Sequence, residues 1–302
     1  MPEKIKITML GTGSSIPTAR RNHPSVLLHY KDENILFDCG EGTQRQLRKA
    51  KLNPCKVTKI LISHWHGDHV FGIPGLIQTL MMNGYNRKLE IYGPKGTKQK
   101  MRAYADLFIP RGDRINLEVH EVSDEKFFEN DEFYLETALM EHGADTNAYS
   151  FVVKEKSRID KEKLKKLKLA NSPLVGELSR GKTVEVNGKK IDGKKLIYSE
   201  PGKKITVVMD TRKCENAIKI SKGADVLICE STFSAEEQEV AKEYLHLTSV
   251  DAASIAKSAK VKRLILTHLS QRYGAVPKVI LSEAKKIFSN VSVAEDLEWI
   301  EV

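Results

Sequence analysis

Short runs of apolar, often β-branched residues recur along the chain, and longer segments with a polar face separate them. Ten of these runs have the length and composition of strands: residues 5–10, 25–30, 34–39, 57–63, 88–93, 135–141, 149–153, 205–210, 225–230 and 262–268. Six segments between them are typical of helices: 42–51, 75–83, 97–107, 213–222, 249–259 and 278–287. Because strands occur early and late with helices between them, the pattern predicts a layered α/β protein.

One segment departs from this pattern. Residues 154–195 lie between two strand-containing parts, 1–150 and 196–302, and carry 14 Lys and Arg against 6 Asp and Glu. The segment opens with a charged amphipathic stretch and contains a predicted hairpin at Asn187-Gly188. We therefore expect a single domain over residues 1–302 in which 154–195 is an inserted, protruding arm.

The charge of the chain is concentrated in this arm. The 302 residues have a formal net charge of +9, of which the arm segment contributes +8. Such a concentration favours an anionic partner such as a nucleic acid, although a solvated Lys-rich surface has the same composition. No apolar run approaches the roughly 18 residues that cross a bilayer, and the first residues lack a secretory apolar stretch. We expect no membrane association, a cytoplasmic location and four free thiols.

Side chains that can bind metals or move protons stand at the carboxyl ends of five predicted strands. They are His64, His142, Asp210, Glu230 and His268. In layered α/β proteins the loops after these strand ends converge and hold functional groups. One such histidine alone is more often a core or surface residue, but five occurrences together predict one shared site.

Four potential ligands occupy six positions directly after the strand at 57–63, in the segment His64-x-His66-x-Asp68-His69. Two imidazoles can serve one metal ion, while the carboxylate and the last imidazole serve a second. This donor set suits Zn²⁺, with Mn²⁺ or Fe²⁺ as alternatives. A histidine-rich surface loop is the competing interpretation, and the complete spacing after a strong strand disfavours it.

Eight segments of the chain resemble one known family. They are GTGSSIPTARRN (11–22), FDCGEGTQ (37–44), SHWHGDH (63–69), EHGADTNAYSF (141–151), MDTR (209–212), ESTF (230–233), HLTS (246–249) and LTHLSQRY (266–273). Together they resemble ribonuclease Z, a family of the metallo-β-lactamase superfamily, from about residue 7 to the carboxyl terminus. The resemblance implies a metallo-β-lactamase fold, a four-layer αβ/βα sandwich with a protruding flexible arm.

The resemblance also implies two zinc ions per subunit, with Mn²⁺ or another divalent metal as an alternative. It assigns His64, His66 and His142 to one ion. It assigns Asp68, His69 and His268 to the other, with Asp210 bridging the two. The remaining histidines His23, His29 and His120 match no ligand position of the family.

The family's catalytic roles map onto three residues. Asp68 is implied to orient and deprotonate the attacking water, and His246 to protonate the leaving ribose oxygen. Glu230 is implied to hold the imidazole of His246 in the correct tautomer. Without the resemblance, His246 would be interpreted as a loop residue and Glu230 as a surface acid.

Substrate contacts follow from the same resemblance. In ribonuclease Z an arm at this position grips the tRNA, and the family's Gly-Pro motif in that arm appears here as Ser172-Pro173. Candidate contacts to the acceptor end are Arg20, Arg21 and Asn22, although an ordinary basic loop has the same sequence. Two further residues are expected to line the cleft: Thr43 and Gln44.

The sequence therefore predicts a zinc-dependent endoribonuclease that removes the 3′ trailer of precursor tRNA by in-line attack of a metal-activated hydroxide. The products would be a tRNA with a 3′-hydroxyl and a trailer with a 5′-phosphate, and the resemblance implies a homodimer. Two other hypotheses remain at this point. One is a small-molecule hydrolase of the same fold, such as a phosphodiesterase or a glyoxalase II-like thioesterase. The other is a non-catalytic RNA-binding protein.

Overall fold

The computed structural model describes residues 3–109, 115–169, 172–186, 188–274 and 277–302. Its strands are β1 (Lys6–Gly11), β2 (Ser25–Tyr30), β3 (Glu33–Phe37), β4 (Lys59–Leu61), β5 (Lys88–Gly93), β6 (Asn116–Glu121), β7 (Lys126–Glu129), β8 (Phe133–Met140), β9 (Thr146–Val153), β10 (Lys156–Ile159), β11 (Thr183–Val186), β12 (Lys189–Asp192), β13 (Ile197–Glu200), β14 (Lys203–Val208), β15 (Val226–Glu230), β16 (Arg263–Thr267), β17 (Val291–Val293) and β18 (Trp299–Glu301). Its helices are α1 (Thr43–Lys49), α2 (Gly67–Val70), α3 (Ile73–Met82), α4 (Thr97–Phe108), α5 (Lys161–Lys166), α6 (Val175–Ser179), α7 (Glu215–Ser221), α8 (Gln238–Glu243), α9 (Ser249–Ser258) and α10 (Lys278–Lys285). All ten strands and six helices expected from the apolar pattern are present in this list.

Two seven-stranded sheets form the centre of the molecule. Their strand orders are β18-β1-β2-β3-β4-β5-β6 and β17-β16-β15-β14-β9-β8-β7. Apolar side chains from both sheets, such as Val26 and Phe37 from one and Phe151 and Ile228 from the other, pack into a common core. Helices α1, α3 and α4 cover the outer face of the first sheet, and α7, α9 and α10 cover the second. The predicted four-layer αβ/βα sandwich is confirmed.

All four edge strands of the two large sheets fall outside the runs predicted from the sequence, and β6 and β7 show the physical reason. Strands β6 and β7 lie at the outer edges of the two sheets, where much of each strand is exposed. Edge strands tolerate charged side chains and benefit from them, because charge discourages pairing with other chains. The sequence of β6, NLEVHE, therefore lacks the continuous apolar run by which the buried strands were recognised.

The basic segment folds into a small unit with an apolar centre of its own, which we call the arm (residues 156–200). Strands β10 and β13 pair as its stem, and β11 and β12 form a hairpin. The predicted hairpin is present, and its residue Asn187 lies outside the described residues. Five side chains form the buried centre of the arm: Leu164, Leu169, Leu178, Val184 and Leu196. The stem carries the unit to Glu200, five residues beyond the expected boundary.

Ser172 and Pro173 lie between α5 and α6 of the arm. The Ser172 Oγ accepts a hydrogen bond from the amide of Leu174 at 3.2 Å, and its carbonyl accepts one from the amide of Val175. Ser172 is not among the described residues with positive φ. The turn therefore does not require a glycine at position 172.

Two further expectations concern the whole chain. None of the helices in the described ranges has the length and apolarity needed to span a bilayer. The cysteines are free thiols, as expected, and three of the four are buried.

Candidate active site

The side chains predicted at strand ends meet at one edge of the sandwich, between the two sheets. His64 follows β4, His142 follows β8, and Asp210 follows β14. Glu230 is the last residue of β15 and pairs in parallel register with Thr267 of β16, so that His268 comes next beside it. The expectation that these strand ends converge is confirmed.

The first cluster of potential ligands contains His64, His66, His142 and Asp210, whose nearest donor atoms all lie within 4.8 Å of one another. The Nε2 of His64 lies 2.8 Å from the Nδ1 of His66, which lies 3.3 Å from the Nε2 of His142. The Oδ2 of Asp210 lies 3.6 Å from the Nε2 of His64. Three imidazole nitrogens and one carboxylate oxygen therefore face one point.

The second cluster contains Asp68, His69 and His268. The Oδ2 of Asp68 lies 3.4 Å from the Nε2 of His69 and 3.5 Å from the Nε2 of His268. The Oδ1 of Asp210 lies 3.5 Å and 3.1 Å from the same two nitrogens. Asp210 thus directs one oxygen to each cluster, an arrangement that can join two cations through one carboxylate.

Three buried atoms of the clusters show that these side chains can bind a cation. The Nε2 atoms of His69 and His268 and the Oδ1 of Asp210 are buried without a hydrogen-bond partner among the described residues. Buried polar atoms without a partner are rare, because their desolvation is not compensated. All three atoms face the second cluster, where one divalent cation would satisfy them.

The electrostatics of most groups in the clusters agree with this donor set. Burial would raise the pKa of Asp68, but the neighbouring imidazoles of His268 and His69 hold it well below its usual range. Burial also opposes ionisation of Asp210, and His268 and His69 outweigh it and keep its pKa low. Burial, followed by the neighbouring His69, lowers the pKa of His64. His69 is the exception: burial would lower its pKa, but Asp210 and Asp38 outweigh burial and raise it well above its usual range. Because ionised oxygens and neutral imidazoles are the forms that bind metals, a cation at the second cluster would displace a proton from His69.

Two of the imidazoles, those of His69 and His142, are oriented by a hydrogen bond from the Nδ1, the ring nitrogen that does not face the other ligands. The Nδ1 of His69 donates to the Oδ2 of Asp38 at 2.7 Å, and the Nδ1 of His142 donates to the carbonyl of Leu245 at 3.1 Å. Such contacts orient metal-binding histidines. Both partners have positive φ, 55° for Asp38 and 56° for Leu245. Non-glycine residues adopt this conformation at a cost, so it is typical of functional sites.

Sequence reasoning assigned no role to Asp38 or Leu245. Asp38 stands in the family segment FDCGEGTQ, which was the available signal. Leu245 contributes only its backbone carbonyl to the contact with His142, and a leucine side chain does not predict such a contact. The conformation that directs this carbonyl at His142 is visible only in the fold.

His246 and Glu230 form a pair beside the clusters. The Nδ1 of His246 donates to the Oε1 of Glu230 at 3.0 Å, and the amide of Thr211 donates to the same oxygen. Glu230 is fully buried, so it is not a surface acid. Burial would lower the pKa of His246, but Glu230 and Asp210 outweigh it and raise the pKa to about 9. The imidazole therefore carries a proton that it can donate at neutral pH.

Arg21 was expected to contact substrate, and the structure contradicts this. Its side chain is only 2% exposed. The guanidinium donates to the Oγ1 of Thr12, the carbonyl of Ala294 and the Oε1 of Glu295. Arg21 therefore joins its loop to the end of the second sheet, whereas its neighbour Arg20 is exposed.

We expect Arg21→Ala to lower the free energy of unfolding by about 3 kcal/mol, because it leaves buried acceptors without a donor. Arg20→Ala is the matched control and should change stability by less than about 0.5 kcal/mol. Urea denaturation of both variants measures the difference. Equal stability of the two variants would contradict the structural role of Arg21.

The other predicted substrate contacts are placed as follows. Thr43 is fully buried and donates its hydroxyl to the carbonyl of Gly40, so the expectation that it lines a cleft is wrong. Asn22 and Gln44 line a cavity of about 490 Å³ together with Phe71. A separate cavity of about 370 Å³ is lined by five of the metal-ligand candidates: His66, Asp68, His142, Asp210 and His268.

The three histidines without a predicted ligand role lie away from both clusters. His23 contacts the carbonyl of Ser15, and His29 contacts the side chain of Asn34. His120 lies near Glu118, which is ion-paired with Lys88.

Comparisons with known proteins agree with this geometry. Ribonuclease Z of Methanothermobacter thermautotrophicus is 42% identical over 299 residues, which cover 99% of this chain and 97% of that protein. The chain belongs to the ribonuclease Z family. Ribonuclease Z of Bacillus mycoides is 40% identical, over 97% of this chain and 98% of that protein. The family and hydrolase predictions are thus confirmed, and the chain is a hydrolytic endoribonuclease.

Structural comparison extends this result to the fold of the ribonuclease Z family. Human tRNase Z, short form, superposes with a TM-score of 0.70 and 27% identity, over 98% of each chain. The metallo-β-lactamase fold protein YhfI of Bacillus subtilis has a TM-score of 0.72 at 20% identity, over 99% of this chain and 100% of that one. The second likeness concerns the fold alone.

A family model also matches the amino-terminal part of the chain. Its description is "Anti-Pycsar protein Apyc1", and it matches residues 5–168, over which the chain is a member of that family as well. This range contains the HxHxDH segment and His142 but neither Asp210 nor His268. The alignment with ribonuclease Z of Methanothermobacter thermautotrophicus instead covers 99% of the chain.

Proposed function

We propose that this protein is a zinc-dependent endoribonuclease that cleaves the 3′ trailer from precursor tRNA. The observation that carries the proposal is the pair of ligand clusters joined through the two oxygens of Asp210. In this proposal His64, His66 and His142 hold one cation, and Asp68, His69 and His268 hold the other. The products are a tRNA with a 3′-hydroxyl and a trailer with a 5′-phosphate.

Two bound divalent cations would lower the pKa of a water and neutralise charge on the scissile phosphate. Asp68 would orient this water for in-line attack, since its ionised carboxylate lines the cavity. Asp68 would also accept the proton of this water, and the cations would have to lower the pKa of the water far enough for transfer to so weak a base. His246 would donate a proton to the leaving ribose oxygen. Glu230 would hold that proton on His246 until transfer, because its carboxylate accepts from the Nδ1 and keeps the Nε2 directed to the cavity.

The arm would supply affinity for the tRNA body. Its positive charges are available, because eight exposed cations form no ion pair with the described residues: Lys161, Lys166, Lys168, Arg180, Lys189, Lys190, Lys194 and Lys195. Unpaired cations on one protruding unit suit phosphate contacts. In the same proposal Arg20 and Asn22 contact the acceptor end, Gln44 lines the cleft, and Ser172-Pro173 contributes to the arm surface.

Two further parts of the proposal follow from the family. The resemblance to ribonuclease Z implies a homodimer, and we propose one for this chain. A precursor-tRNA substrate also implies action in the cytoplasm. Sedimentation of the purified protein measures the first of these properties directly.

The test is incubation of the purified protein with a precursor tRNA, with and without a chelator, and mapping of both product ends. We expect one cut at the 3′ end of the tRNA, loss of cleavage with the chelator, and recovery with added Zn²⁺ or Mn²⁺. Hydrolysis of small phosphodiesters or thioesters without tRNA cleavage would favour a small-molecule hydrolase. Binding without any cleavage would favour a non-catalytic RNA-binding protein.

The arm contribution leads to a separate prediction. Residues 160–196 can be replaced by Asn-Gly, because Ile159 and Ile197 are register partners that a two-residue turn can join. We expect cleavage of precursor tRNA to fall by about 10²-fold or more, since phosphate contacts are lost, while bis(p-nitrophenyl) phosphate is still hydrolysed.

A point variant and its control refine this experiment. Lys189→Glu with Lys190→Glu reverses two unpaired charges at the hairpin of the arm. Lys257→Glu with Lys260→Glu makes the same change at the exposed end of α9. Only the arm pair should weaken tRNA binding and flatten its dependence on salt, by roughly 0.9 in slope per lost contact. Equal effects of both pairs would contradict a specific role of the arm.

A further inference from the structure

The hydroxyl of Thr232 lies between the proton-donating pair and the second ligand cluster. Its Oγ1 lies 2.6 Å from the Oε2 of Glu230 and 2.8 Å from the Nδ1 of His268. Thr232 is 4% exposed and Glu230 is fully buried, so water does not compete for these contacts. Glu230 uses its other oxygen for His246. The carboxylate of Glu230 therefore accepts a hydrogen bond from His246 directly and is linked to His268 through the hydroxyl of Thr232.

The directions of these hydrogen bonds are determined by proton count. An ionised carboxylate accepts only, so the single hydroxyl proton of Thr232 must point to Glu230. The Oγ1 can then only accept from His268, which requires the proton of that imidazole to be on Nδ1. The Nε2 of His268 is left with a free lone pair. This is the atom that lies buried without a partner, 3.1 Å from the Oδ1 of Asp210.

The same connectivity occurs a second time at the opposite side of the site. The Oγ of Ser63 donates to the Oδ2 of Asp38 at 2.8 Å and lies 3.1 Å from the Nδ1 of His64. Asp38 also accepts directly from the Nδ1 of His69. Each of the two buried carboxylates thus contacts one imidazole directly and a second one through a hydroxyl. Two independent occurrences of this arrangement support a role beyond packing.

We propose that Thr232 is a positioning residue whose hydroxyl extends the tautomer control of Glu230 from His246 to the metal-binding face of His268. The inference rests on the proposed function for its kinetic consequences, but its metal-binding consequence stands without it. Through this hydroxyl, the carboxylate of Glu230 sets the tautomer of both the proton donor, His246, and one cation ligand, His268. Loss of the hydroxyl alone should therefore weaken both.

The test compares Thr232→Val, which keeps the shape and removes the hydroxyl, with Thr232→Ser, which keeps the hydroxyl. Competition with a zinc chelator measures the affinity of both metal sites, and thermal unfolding monitors the fold. We expect Thr232→Val to lower the affinity of the site that contains His268 by about 10–100-fold, and Thr232→Ser to stay within about 3-fold of the wild type. Precursor-tRNA cleavage should follow the same order.

Several outcomes overturn the inference. Wild-type zinc affinity in Thr232→Val would exclude control of His268, and equal losses in the valine and serine variants would reduce Thr232 to a packing role. If Thr232→Val does not fold, Thr232→Ala replaces it as the variant without a hydroxyl. If neither folds, proton-detected NMR of the zinc-loaded wild type must show a protected Nδ1 proton on His268, and its absence overturns the inference.

Failure of the proposed function gives a different result. In that case the wild type would bind two metals and leave precursor tRNA intact. The zinc affinities of the Thr232 variants would still decide the role of the hydroxyl.

Discussion

Asp68→Ala is expected to bind precursor tRNA as tightly as the wild type and to cleave it at least about 10⁴-fold more slowly. Two functions are lost together, a cation ligand and the carboxylate that orients the attacking water. The Oδ2 of Asp68 lies within 3.5 Å of the Nε2 atoms of both His69 and His268. The tRNA affinity should persist, because the arm that supplies the phosphate contacts is a separate folded unit.

Single-turnover cleavage and filter binding measure the two expectations for Asp68→Ala. Asp131→Ala removes an exposed carboxylate outside the clusters and is the matched control. It should leave both the rate and the affinity unchanged. Residual cleavage within about 10-fold of the wild type in Asp68→Ala would be incompatible with the assignment of this carboxylate. A parallel loss of tRNA affinity would show that Asp68 acts on binding instead.

His246→Ala should slow cleavage of precursor tRNA by about 10²–10⁴-fold, the range expected for loss of a general acid. The reason is the ribose oxygen, a poor leaving group that needs a proton as the P–O bond breaks. Glu230 and Asp210 raise the pKa of His246 to about 9 against the effect of burial, so the donor is protonated at neutral pH. Both the rate and its substrate dependence test this role.

The substrate dependence separates proton donation from other roles of His246. Bis(p-nitrophenyl) phosphate releases p-nitrophenolate, a stable leaving group that needs no proton. His246→Ala should therefore slow its hydrolysis by less than about 10-fold. His29→Ala, which removes an imidazole far from the clusters, is the control and should affect neither substrate. Equal losses on both substrates would assign His246 to metal binding or folding rather than to proton transfer.

The metal-ligand candidates were accessible from sequence because they stand at the ends of strong strands. Such strands are recognised from continuous apolar runs, as in KILIS before His64 and KRLILT before His268. The carboxyl ends of neighbouring buried strands lie at the same edge of the sheet. Side chains at these ends are therefore expected to lie close together. The spacing within His64-x-His66-x-Asp68-His69 added the local geometry.

The role of adjacent loop residues could not be inferred in this way. Arg20 and Arg21 are chemically identical neighbours, yet one is exposed and the other is buried against Ala294 and Glu295. Their difference depends on residues more than 270 positions away in the chain. Thr43 was misplaced for a different reason: its hydroxyl donates to the carbonyl of Gly40, three residues away, and this local turn contact has no periodic signal.

The sequence by itself determined the order of strands and helices and the layered α/β class, because these depend on local apolar periodicity. The sandwich architecture and the assignment of the ligand candidates also came from the sequence, through the resemblance of its motifs to ribonuclease Z. Only the tertiary structure decided which atoms meet: the two oxygens of Asp210 directed at different clusters, the carbonyl of Leu245 behind His142, and the hydroxyl of Thr232 between Glu230 and His268. Hydrogen-bond partners depend on distances of a few tenths of an ångström between residues remote in sequence. Local pattern carries no information at that scale.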